Sequence, residues 1–99
     1  NINNKNVKLL NLSNGCVYHQ FVILTKKINK LMKELKKENI QFGRYYPTPI
    51  HKLVAVRKIF KNEKYKNAEY FSKYGIGLPI DPNLKKNEIQ KICKIVNKI

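Results

Sequence analysis

With 99 residues, 42% of them hydrophobic, the chain can bury one modest core and is too short for a second domain. No apolar run nears the roughly 20 residues a membrane-spanning helix needs, no signal-peptide pattern opens the chain, and two cysteines supply no zinc-finger ligand set. The formal charge of +15 invites a polyanionic partner, yet 19 of the 21 basic residues are lysines spread along the chain. Arginine, the residue suited to bidentate phosphate and base recognition, occurs only as Arg44 and Arg57. Thirteen asparagines and 12 isoleucines accompany the lysines, the joint inflation expected of an AT-rich coding sequence at tolerant surface positions. Specific nucleic-acid binding is therefore not expected, no membrane contact is expected, and a cytoplasmic chain with reduced thiols is.

Residues 1–14 are polar around an apolar island, Val7, Leu9, Leu10 and Leu12, and read as an entry segment or linker. Residues 15–99 read as the folded domain. Cys16 to Leu24 is rich in β-formers and has strand length. Thr25 is placed to cap a helix whose apolar residues Ile28, Leu31, Met32 and Leu35 recur at i, i+3, i+4 and i+7. Asn39 closes that helix, and Ile40 to Arg44 follows as a second strand. Lys52 to Phe60 reads as a short helix or packed turn. Asn67 caps a helix from Ala68 to Tyr74, which Gly75-Ile76-Gly77 stops. Leu78-Pro79-Ile80 is an edge strand, where proline is tolerated. The last helix, Lys86 to Lys98, buries Ile89, Ile92, Cys93 and Val96. The order predicts an α+β domain: a small, mainly antiparallel sheet with helices packed on one face.

The most unusual local chemistry is the run Tyr45-Tyr46-Pro47-Thr48-Pro49-Ile50-His51. Its prolines restrict both themselves and the residues before them, so the loop is stiff and holds phenol and imidazole groups at fixed positions. Such loops often carry binding residues. Other constellations read structurally. His19 lies mid-strand, Gly75-Ile76-Gly77 is half of a dinucleotide fingerprint and follows a helix, and the tyrosines at 65, 70 and 74 pack around a core. The lysines of the last helix form its solvated face.

Taken in order, several segments resemble one known family. They are Tyr18-His19-Gln20-Phe21-Val22-Ile23, Glu38-Asn39-Ile40, the Tyr45–His51 loop, Asn67-Ala68-Glu69, and Gly77-Leu78-Pro79-Ile80 with Pro82 and Leu84. Together they resemble the carboxy-terminal small domain of the DegT/StrS-like sugar aminotransferases, fold-type I enzymes dependent on pyridoxal phosphate. The resemblance implies an intact homodimeric enzyme that moves an amino group from a glutamate or glutamine donor to a nucleotide-linked keto sugar in polysaccharide biosynthesis. It also implies that the cofactor lysine, the carboxylate facing the pyridine nitrogen and the phosphate cup belong to a large domain preceding Asn1. No catalytic, cofactor-binding or metal-binding residue is then expected in this chain, which alone binds no pyridoxal phosphate and is inactive. Tyr45, Tyr46 and His51 match positions near the sugar-nucleotide end of the site, and the neighbouring Arg44 is charged to meet a phosphate. In that pattern Lys85 and Lys86 depart from the usual capping and acidic residues at the start of the last helix. A small basic, non-enzymatic module for RNA or another polyanion is the competing expectation.

Overall fold

The computed structural model describes residues 1–11 and 13–99; Leu12, the last member of the apolar island, lies outside the described residues. Three strands form one antiparallel sheet in chain order: β1 (Val7–Leu9), β2 (Phe21–Thr25) and β3 (Gly75–Leu78). The uncharged run Phe-Val-Ile-Leu-Thr takes the central position, where both edges are paired. Ile23 stands opposite Ile76 and Phe21 opposite Leu78. On that face α1 (Ile28–Lys37) and α4 (Lys86–Lys98) close the core with Ile28, Leu31, Leu35, Ile92, Ile95 and Val96. Leu24 points the other way by strand alternation and is buried near the junction of α3 (Lys66–Tyr74) and β3. The architecture is the expected α+β one.

Both long helices follow their apolar periodicity, and their ends explain where they stop. Asn39 adopts a left-handed backbone (φ 54°). Its N–H donates to the Lys36 carbonyl at 3.1 Å, while the Ile40 N–H reaches back to the Leu35 carbonyl at 2.9 Å. This is a Schellman closure, with Ile40 as its apolar partner on the core. At the start of α4 the Lys85 N–H donates to the Glu88 carboxylate at 2.7 Å. A lysine side chain has no acceptor for the reciprocal bond of a capping box. Glu88 nevertheless places negative charge in the first turn and offsets Lys85 and Lys86 there.

Several boundaries differ from the sequence reading. Cys16 to Gln20 lies outside β2, because no strand among the described residues pairs with it, and Cys16 is exposed. Thr25 remains the last residue of β2, and its hydroxyl accepts a bond from the Lys27 N–H at 3.1 Å. Ile40 to Arg44 contributes one bridge, Gly43 with Gly77, rather than a strand. Helix α3 starts from Tyr65, with no side-chain cap from Asn67. The region from 50 to 60 holds a 3-10 turn (Ile50–Lys52) and the four-residue α2 (Arg57–Phe60). Gly75 to Gly77 ends α3 and also supplies most of β3, so Pro79 falls just past the strand, where no ladder donor is needed.

The first residues carry more structure than a linker reading implies. Val7–Leu9 forms β1, and the asparagines before it fasten the end of α4. Asn4 Nδ2 donates to the Val96 carbonyl at 2.8 Å, and the Asn3 N–H donates to Asn97 Oδ1 at 2.8 Å. The Asn4 amide satisfies carbonyls that the helix leaves open, so Asn4 is not merely a tolerated surface residue. Asn4→Ala is expected to destabilise the chain by about 1 kcal/mol, the usual net worth of a partly buried hydrogen bond. Urea unfolding checks this: a midpoint unchanged from the parent would mean the terminal segment contributes nothing to the domain.

Candidate functional site

The proline loop leaves the sheet at the Gly43–Gly77 bridge, where the two N–H groups and carbonyls exchange bonds of 3.0 and 2.8 Å. The Tyr45 ring lies across both glycines. A Cβ at Gly77 would come within 2.7 Å of the ring edge, so the absence of a side chain there makes room for the tyrosine. Tyr46 meets Tyr45 edge-on, with ring centroids 5.9 Å apart and planes at 85°. Tyr46 is 70% exposed, and its hydroxyl has no acceptor among the described residues. An exposed ring fixed at its base can meet a ligand with little ordering cost.

Tyr45 forms one wall of a cleft of about 420 Å³. The opposite walls come from His19 and Gln20 before β2, from Gln41, and from the Leu78–Asp81 turn. Its lining therefore combines polar donors and acceptors with glycine and apolar side chains, which suits a polyhydroxylated or ring-bearing ligand. Sequence reasoning treated His19 as structural and Asp81 as a turn residue. The signal that joins them is strand register: pairing Phe21 with Leu78 places the residues before β2 beside those after β3.

His51 sits elsewhere in the loop's structure. It is buried, with ring contacts to Tyr65 (4.8 Å between centroids) and Phe60 (6.4 Å). Its Nε2 lies 3.5 Å from a Glu69 carboxylate oxygen and makes no hydrogen bond. The same oxygen takes the Lys52 ammonium at 2.6 Å, and that bond holds the Glu69 carboxyl below its ordinary range. His51 thus pins the end of the loop onto α3 and lines a different cavity from Tyr45. Arg44 is also turned away from the cleft. Its Nη2 donates to the carbonyls of Ser72 and, at 3.4 Å, Lys73, at the end of α3 where carbonyls are unpaired and cations are favoured. The structure therefore brings Tyr45 and Tyr46 together, and places Arg44 and His51 as the two anchors that tie the loop to α3.

The small antiparallel sheet with its flanking helices is a fold shared with solved aminotransferase structures. DesV of S. venezuelae superposes with a TM-score of 0.80 at 22% identity, covering 94% of this chain and 26% of DesV. PseC of Helicobacter pylori, an aminotransferase involved in the biosynthesis of pseudoaminic acid, superposes at 0.69 with 27% identity over 81% of this chain and 23% of PseC. In sequence, the chain is 29% identical over 82 residues to the dTDP-3-amino-3,6-dideoxy-alpha-D-galactopyranose transaminase of Aneurinibacillus thermoaerophilus, covering 83% of this chain and 22% of that enzyme. The chain belongs to the DegT/DnrJ/EryC1/StrS aminotransferase family, whose model matches residues 2–97. It spans about a quarter of the length of the relatives it matches.

Proposed function

We propose that the chain is the carboxy-terminal, substrate-facing domain of a pyridoxal-phosphate-dependent aminotransferase acting on a nucleotide-linked keto sugar. The observation that carries this reading is the family match across residues 2–97. In it, residues 15–99 together with β1 form the small domain, and the residues before β1 bring the chain in from the large one. The intact enzyme is a homodimer, with its site close to the subunit interface, and its amino donor is glutamate or glutamine.

Pyridoxal phosphate, when bound, supplies the electron sink through which an amino group moves. The residues of this chain do not fit that group by themselves. Lys52, beside the loop, is paired with Glu69 at 2.6 Å. Asp81, the one aspartate, accepts the Asn83 N–H at 2.7 Å within its turn. Neither is arranged as a cofactor lysine or a pyridinium partner, so these groups come from the large domain. This chain's contribution is to bind and orient the sugar. The Tyr45 and Tyr46 hydroxyls bond sugar or phosphate oxygens, and His19, Gln20 and Gln41 supply further polar contacts across the cleft. Arg44 and His51 act as positioning residues by fixing the loop.

Mixed with pyridoxal phosphate, the 99-residue chain is expected to retain no cofactor absorbance after dialysis and to show no transamination. Stoichiometric retention on one lysine with turnover would overturn the domain assignment.

A further inference from the structure

A further cavity, of about 310 Å³, lies at the other end of β2 from the Tyr45 cleft. Lys5 and Lys8 reach it from β1 and the turn before it, Lys26 and Lys27 from the turn into α1, and Tyr70 from α3. The remaining polar groups are Asn6 and Thr25. Lys27 is partly engaged, its Nζ 3.4 Å from the Ile99 carbonyl oxygen. Lys5, Lys8 and Lys26 have no acidic partner among the described residues, and no carboxylate side chain lines the cavity. This differs from the His51 cavity, where Glu63 and Glu69 stand among Lys52, Arg57 and Lys64.

Four exposed lysines from two chain segments line one concavity, and no carboxylate side chain among its lining residues offsets them. Like charges gathered around one concavity raise the local positive potential and favour a compact multivalent anion. Lysine acts as a point charge on phosphate, needing no planar geometry. Tyr70 adds a ring, 40% exposed and braced by Tyr74 at 4.9 Å, at the margin of the charge cluster. We infer that this cavity is a binding site for a ligand bearing two or more linked phosphates, with Lys5, Lys8, Lys26 and Lys27 on the phosphates and Tyr70 beside them. The site is independent of the sugar-aminotransferase reading.

Titration calorimetry of the chain with tripolyphosphate at low salt tests the assignment. One-to-one binding is expected, weakened about tenfold in Lys8→Gln/Lys26→Gln, since each exposed ion pair is worth up to about 1 kcal/mol. A control, Lys33→Gln/Lys36→Gln, removes the same charge from the exposed side of α1 and is expected to stay within about twofold of the parent. Equal losses in both variants, or no saturable binding, would show diffuse attraction to net charge and overturn the site. A single-stranded decathymidylate provides the second arm. Tighter binding than tripolyphosphate, lost in Tyr70→Ala, supports the site with nucleic acid as the phosphate source. The reverse ranking supports it with a free oligophosphate.

Discussion

An Ile23→Ala chain is expected to lose about 2–5 kcal/mol of stability, the range for truncating a buried isoleucine when the surroundings cannot collapse. Ile23 is fully buried at the centre of β2, opposite Ile76, and beneath the core residues of α1 and α4. Removing it leaves a void against both helices, because neither can move toward the sheet without disturbing Leu31, Leu35 or Val96. A domain of this size has a total stability of about 5–15 kcal/mol, so the change takes a large share of it. Denaturant unfolding followed by circular dichroism gives the number. A loss below about 1 kcal/mol would mean that the sheet and the helix pair do not share one core.

Two glycines separated by one residue should respond differently to the same substitution. A Cβ at Gly75 would lie 2.6 Å from the Phe71 carbonyl oxygen, which is backbone and accepts the Gly75 N–H at the end of α3. The α3–β3 junction must then open, and Gly75→Ala is expected to cost about 1–3 kcal/mol. At Gly77 the close contact of the new Cβ is with the Tyr45 ring, a half-exposed side chain that can swing aside, while the Gly43 carbonyl oxygen is at ordinary contact distance, 3.7 Å. Gly77→Ala should therefore leave thermal stability nearly unchanged while displacing the tyrosine from the cleft. Equal melting shifts in the two variants would contradict the placement of Tyr45 across the bridge.

What the sequence made legible tracks the range of the interactions involved. The face of α1 could be read because its periodicity is local, and Asn39 closes it as a residue tolerant of the left-handed region should. On α4 the helix was legible, and Ile92 and Val96 are buried as expected while Cys93 is half-buried, but the buried stripe extends to Ile95 and Ile99 instead of Ile89. Ile89 is 47% exposed, whereas Ile92, Ile95, Val96 and Ile99 form the buried stripe. Both stripes satisfy helical spacing, and only the position of the sheet decides between them. Strands depend on partners distant in sequence: Cys16 to Gln20 has β propensity without a partner, while Gly75 to Gly77 has little propensity and pairs with β2.

The site followed the same pattern. Tyr45 and Tyr46 stand where a stiff loop leaves the sheet, as their neighbourhood of prolines implied. The burial of His51 against Phe60 and Tyr65, and the turn of Arg44 toward Ser72, depend on α2 and α3. No feature within the loop itself encodes those contacts. His19 and Asp81 join the cleft only through the β2–β3 register.

The role proposed for the loop is tested most directly by following the two half-reactions separately in the full-length enzyme that carries this domain. Tyr46→Phe is expected to lower kcat/KM for the sugar-nucleotide half-reaction by about tenfold, the worth of one hydrogen bond to a charged group. On the proposed reading the half-reaction that takes the amino group from the donor should proceed at the parent rate, because that reading assigns its machinery to the large domain. An equal fall in both, or no change in either, would contradict a substrate-facing role for the loop.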